Sequence, residues 1–173
     1  MNKANVEDIY SLIGVALVHV QVLESLMRFC TTYVIQEGDF IDFEGITRLN
    51  KKEKKKTLGY FIGRVKERSE VHPQLLELLE SFLENRNMLV HNMDSIPNWD
   101  LNTTEGTNAA KLFVSNLIRK TRVLTQIFSA LAASWQQQVG LEIELSESEQ
   151  QALNEMNLEY IHLLDDLFME KET

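Results

Sequence analysis

The chain runs to 173 residues, with a formal net charge of −9, 44% hydrophobic residues and one cysteine. That length suits one domain with a core of its own, and a lone thiol excludes an internal disulfide and disfavours a cysteine-based zinc site. The N-terminus has no basic-then-apolar leader and no apolar run reaches the roughly 18 residues of a membrane span, so the sequence predicts a soluble, cytoplasmic protein without a membrane partner.

Two prolines, seven glycines and few alternating runs leave little signal for strands. Long Leu-, Glu-, Lys- and Gln-rich segments instead predict an all-α fold, an antiparallel bundle of about five helices. The charge is unevenly placed. Residues 141–173 hold ten acids and one base, a net of −9, so residues 1–140 sum to zero. Within them, 48–68 carries nine Lys or Arg against two Glu, a net of +7. A local basic field of this kind can hold a phosphate backbone on a molecule that is acidic as a whole.

The first predicted helix spans about Val6 to Ile35, with Asn5 as N-cap. Ile9, Ile13, Ala16, Val20, Leu23, Met27, Cys30 and Val34 alternate steps of four and three, the spacing of a packing seam. Cys30 on that seam reads as a core residue, and His19 on its edge as a packed structural histidine. Glu24 and Arg28, four apart, have the spacing of a surface ion pair worth a few tenths of a kcal/mol.

A loop over 36–50 leads to the lysines Lys51, Lys52, Lys54, Lys55 and Lys56, ahead of a short helix through Leu58, Phe61, Ile62 and Val65. The lysine run is either a solvated face or an RNA-backbone contact. Gly59 and Gly63, four apart, predict close approach of a neighbouring element, and no phosphate-loop pattern accompanies them.

The third helix opens at Pro73, whose missing N–H costs nothing in a first turn. Its apolar stripe runs through Leu75, Leu79, Phe82, Leu89 and Met93 and, at the same period, takes in Arg86. A guanidinium there needs a carboxylate, a phosphate or water. Asn87 and His91 are four apart and neighbours on the helix surface; Arg86 and His91 are about 140° apart around it and can converge only through the length of the arginine. A cation, an amide and an imidazole thus meet at the border of an apolar face.

Arg86-Asn87-Met88-Leu89-Val90-His91 reads R-N-x-x-x-H, which resembles the R-x(4–6)-H signature of the HEPN superfamily, all-α domains that include many metal-independent ribonucleases. The likeness covers most of residues 1–140, which it implies form a HEPN-like four-helix core, with 141–173 an acidic C-terminal helix packed on the same domain. Glu24 to Arg28 resembles the E-x3-K element of the family's first helix, with arginine for lysine, and implies a supporting role at the site for both. By the same resemblance His91 is general acid or base, Arg86 stabilises phosphate charge and Asn87 orients the phosphate or the ring. No cofactor or metal is implied. The expected partners are RNA, a second copy of the chain, and a cognate antitoxin such as a minimal nucleotidyltransferase, as for a toxin or defence component. Met93 stands where the toxin branch usually has a tyrosine. The alternative is a non-catalytic HEPN-like interaction domain that binds a protein partner or a nucleotide.

Beyond the motif, 94–106 is a polar connector with Pro97 and Trp99, long enough to fold over the cleft. Asn102 to Glu105 has capping-box spacing. A fourth helix over about 107–139 takes Leu112, Phe113, Leu117, Val123, Leu124, Ile127, Phe128, Leu131 and Trp135 as its stripe, with Arg119, Lys120 and Arg122 as a second basic group and Gly140 as C′. Ser146 to Glu149 opens a fifth helix that docks through Leu153, Met156, Tyr160, Leu163 and Leu167. Glu159 and His162 have E-x-x-H spacing; without a second copy they read as a surface pair.

Overall fold

The computed structural model of the chain describes residues 3–35 and 56–138, with Gly140, Glu147, Ser148, Gln151, Leu164 and 166–170. These residues are mostly helical. The helices are α1 (Lys3–Phe29), α2 (Leu58–Arg68), α3 (Pro73–His91) and α4 (Thr104–Gln138), and a short antiparallel ladder joins β1 (Ser69–Val71) to β2 (Phe168–Glu170). Contacts divide the chain into two units, Met1–Leu23 with Glu77–Leu124 and Glu24–Leu76 with Thr125–Thr173, so α1, α3 and α4 each give a part to both.

The first unit is built on Ile9, Ala16, Val20 and Leu23 of α1, Leu79, Phe82 and Leu89 of α3, and Val114, Leu117 and Leu124 of α4, all buried. Each such side chain contributes on the order of 1.5–3 kcal/mol when fully buried. The helical period foresaw the stripe of α3 up to Leu89. Met93 departs from it and is exposed, because α3 ends at His91 and the chain turns into a 3₁₀ turn at Met93–Ser95. Leu112 departs too, at 65% exposed, since Ala110 and Val114 take the inward positions around it. Helix α1 starts at Lys3, so Asn5 lies inside the helix and is not its cap.

Helix α4 starts at Thr104, earlier than the pattern suggested, and its cap is one residue beyond Asn102. Thr103 Oγ1 accepts from Gly106 N–H at 3.1 Å, while Asn102 N–H and its side-chain amide both donate to Asp100 Oδ1 at 2.9 and 3.1 Å. Gly106 is obligatory there, because a Cβ would come within 2.0 Å of the Asp100 carbonyl oxygen. Asn98, at φ 59°, makes the left-handed turn that asparagine tolerates. The contacts of this connector run to the start of α4 and to Phe113, whose ring meets Trp99 edge-on at 6.3 Å.

In the second unit the last turn of α1 widens to a π-helical turn over Cys30–Val34. Arg68 closes it, donating from Nη1 to the carbonyls of Thr31 and Ile35 at 2.7 and 2.8 Å. Cys30 is fully buried, as its place on the seam predicted, and donates to the Phe128 carbonyl at 3.4 Å. Burial pushes its thiol pKa far up. Leu58, Phe61, Ile62 and Val65 are the buried face of α2 as foreseen. Gly63 corrects the expectation of a close neighbour, since a Cβ there would meet nothing within 4 Å.

Strand β2 is a second correction. The chain is helical at Leu167 but leaves the helix to pair with β1, Ser69 opposite Glu170 and Val71 opposite Phe168. His72 N–H adds a bond to the Leu167 carbonyl at 3.1 Å, and Phe168 packs its ring against Phe128 at 5.8 Å. Leu164 is buried and Leu167 half-buried, whereas Leu153, Met156, Tyr160, Leu163 and the Glu159/His162 pair lie outside the described residues. Gly140, at φ 66°, donates to the Gln137 carbonyl as a left-handed C′ residue does. Over Val6–Val34 the helix is, by length and composition alone, long and apolar enough to cross a membrane, a test that the core helix of a soluble protein also passes.

Candidate functional site

Leu79, Phe82 and Leu89 fix one face of α3 inward, and that sets where the next residues emerge. Arg86 and Asn87 lie half-buried at the border of the buried face, and His91, the last residue of the helix, is exposed. Arg86 Nη1 donates to Asn87 Oδ1 at 3.2 Å and lies 3.2 Å from His91 Nε2. The long arginine thus spans the arc between positions 86 and 91.

This geometry fixes roles. A guanidinium has donors and no lone pair, so Nε2 accepts. The proton of a neutral His91 then belongs on Nδ1, and its basic nitrogen is turned toward the cation. The Asn87 carbonyl oxygen accepts from the same Nη1, whose two N–H groups thus serve both partners. The result is a planar, permanently charged donor next to a proton acceptor, on the rim of an apolar face.

The other sequence-predicted site residues belong to the second unit. Glu24 and Arg28 are both half-buried there, and the Arg28 guanidinium lies over the Phe61 ring at 5.7 Å. Of the lysine run, Lys56 is exposed with its ammonium over the Tyr60 ring at 4.7 Å, while Lys51, Lys52, Lys54 and Lys55 lie outside the described residues. The charge count over 48–68 needs one correction. Arg68 is committed to main-chain carbonyls and Arg64 is paired with Glu67 at 3.0 Å, so neither is an unencumbered phosphate contact. Arg119 and Arg122 are exposed on α4.

Sequence reading missed a depression of about 390 Å³ in the connector, lined by Asp94, Trp99, Asp100 and Glu105 among others. Its cause, the Gly106 approach and the Asn98 turn, has no periodic signal. Among the described residues, no group of three His, Cys, Asp or Glu side chains is placed to hold a metal ion. No known protein family, curated protein or solved structure matches this chain.

Proposed function

We propose that the chain is a HEPN-type, metal-independent endoribonuclease, acting as a homodimer. The observation that carries this reading is the 3.2 Å approach of Arg86 Nη1 to His91 Nε2, with Asn87 on the same guanidinium. A phosphate oxygen is anionic and a stronger acceptor for a guanidinium than a neutral imidazole nitrogen. An incoming phosphodiester therefore draws Arg86 to itself and releases Nε2 as a base. Nε2 takes the proton of the ribose 2′-hydroxyl, whose oxygen attacks the adjacent phosphorus. Arg86 holds the charge that develops on the phosphoryl oxygens, and the P–O5′ bond breaks. The leaving 5′-oxygen receives a proton from an imidazolium, supplied by the His91 of a second copy if the two motifs share one cleft. The products are a 2′,3′-cyclic phosphate and a 5′-hydroxyl.

Lys51, Lys52, Lys54, Lys55 and Lys56 are the proposed backbone contacts for RNA, and Glu24 and Arg28 the supporting pair. Such a nuclease fits a toxin or defence component restrained by a cognate antitoxin, with minimal nucleotidyltransferases the class to try. Because position 93 is methionine, modification of a tyrosine at that position is not part of the proposal. The test is incubation of the purified chain with RNA in EDTA. Cleavage should persist, leave cyclic-phosphate ends, and fall by about 10²–10⁴-fold in His91→Ala. Cleavage that needs a metal, or that survives His91→Ala, refutes the assignment.

A further inference from the structure

All eight large hydrophobic side chains exposed among the described residues fall in the first unit, the one that carries Arg86, Asn87 and His91, and five of them are on α1. Tyr10, Val15, Leu17, Val18 and Val22 are 60, 46, 36, 59 and 55% exposed. At 100° per residue they span an arc of about 160°, opposite the buried stripe of Ile9, Ala16 and Val20. Helix α1 therefore carries apolar side chains on both sides, with the polar Ser11 and Gln21 interspersed on the outer one, and among the described residues only the inner side is covered. Patches of several hundred Å² of this kind mark interaction surfaces on soluble proteins.

Gly14 says what kind of surface should cover it. It is exposed in the middle of that face, and a Cβ added to it would meet nothing within 4 Å. The chain's own packing gives no reason for a glycine that costs the helix about 0.5–1 kcal/mol relative to alanine. Tyr10, Gly14, Val18 and Val22 form one ridge at steps of four, the row that packs against another helix, and a glycine in such a row lets a second backbone come close.

We infer that the outward face of α1 is the docking surface for a second copy of this chain, crossing its own symmetry mate near Gly14 and Val18. This rests on the homodimer in the proposed function and names its contact. Two arguments select a second copy. From Ile9 to Leu23 there is no Asp, Glu, Lys or Arg, so the face can meet itself without like-charge repulsion. A two-fold axis through the outer face, midway along the helix between Gly14 and Val18, also pairs Val18 of each copy with the space above Gly14 of the other, and Tyr10 with Val22, as an isologous contact requires. A bilayer fits less well, because the opposite stripe of Ile9, Ala16, Val20 and Leu23 is already buried in the first unit. A single helix pair falls short of the roughly 800 Å² per partner of a stable interface. The remainder has to come from the rest of the first unit, where Val90 and Met93 stand exposed beside His91.

Sedimentation equilibrium of the full chain at micromolar concentration tests this. The native protein should sediment at twice its 20.0 kDa mass. Gly14→Leu and Val18→Glu should each weaken the dimer by at least 100-fold, with unchanged far-ultraviolet circular dichroism, since both positions are exposed and leucine favours the helix. A native monomer overturns the homodimer and this surface together. A native dimer indifferent to both substitutions overturns this surface alone. Loss of helicity in both variants means that the face is covered within the chain, and also overturns it. So does binding of the native monomer to phosphatidylserine vesicles that Val18→Glu abolishes. Failure of RNA cleavage in EDTA by a dimer that both substitutions dissociate would refute the nuclease and leave this contact standing.

Discussion

Arg86 meets Asn87 and His91 at once through Nη1 at the end of a long stem, and its planar fork offers a phosphate a bidentate geometry that lysine lacks in spite of its charge. Arg86→Lys should therefore lower the kcat/KM of RNA cleavage by about 100-fold or more, in the range of a lost oxyanion donor. Far-ultraviolet circular dichroism should not change, because arginine and lysine have similar helix propensities. Cleavage by Arg86→Lys at the native rate would show that charge alone suffices. Cys30 gives a prediction of stability. Its thiol is held neutral in the fold by burial, so the folded state keeps a proton that the unfolded state loses above the ordinary thiol pKa of about 8.5. Stability from this group is complete below that pH and falls above it, by up to about 1.4 kcal/mol per pH unit. Urea unfolding at pH 7 and pH 10 should show a larger loss for the native chain than for Cys30→Ala. The convergence at positions 86, 87 and 91 was legible in the sequence because helical period and side-chain reach decide it. The depression beside Asp94 was not, since it depends on the Asn98 turn and a backbone approach that no spacing encodes.

At the scale of the elements, α2 and α3 followed their apolar periods, and errors collected where a helix ends. A period locates a buried face but carries no information on hydrogen bonds at a terminus. Thr103, not Asn102, caps α4, and the π-helical turn at the end of α1 is closed by an arginine 33 residues beyond Ile35. Strand β2 was missed for a related reason: three residues following an apolar helical stripe have no period of their own, and partner pairing decides their state. Arg68→Met tests how much the closure of α1 depends on that side chain. It retains an apolar stem but leaves the Thr31 and Ile35 carbonyls without their donor, at a cost of about 1–3 kcal/mol. Urea unfolding should detect this as a lower midpoint at unchanged slope, and a midpoint equal to the native one would mean that water serves these carbonyls as well. Gly106→Ala should destabilise more than Thr103→Ala in the same assay. The first forces a Cβ onto the Asp100 carbonyl, while the second loses one cap worth about 1 kcal/mol.

Across the whole molecule the dominant feature is charge that cancels within residues 1–140 and leaves a net of −9 on 141–173. An RNA-binding surface on such a chain works against its own acidic segment. If the proposed lysines and the exposed Arg119 and Arg122 attract a phosphate backbone, the C-terminal carboxylates would repel it or compete for the same cations. Electrostatic competition of this kind suppresses weak, non-specific binding more than strong binding. The sequence made the imbalance plain but not its geometry, because charge is a composition and screening depends on distance. Solubility is the plainer use of an acidic segment, and the two uses separate by experiment. Asp165, Asp166, Glu170 and Glu172 changed together to Asn or Gln remove charge without touching Leu164 or Leu167. If the segment competes, RNA affinity should rise several-fold at low salt, and the gain should vanish near 1 M, where the Debye length is about 3 Å. If it serves solubility alone, affinity stays the same at every salt concentration and the variant precipitates at lower protein concentration.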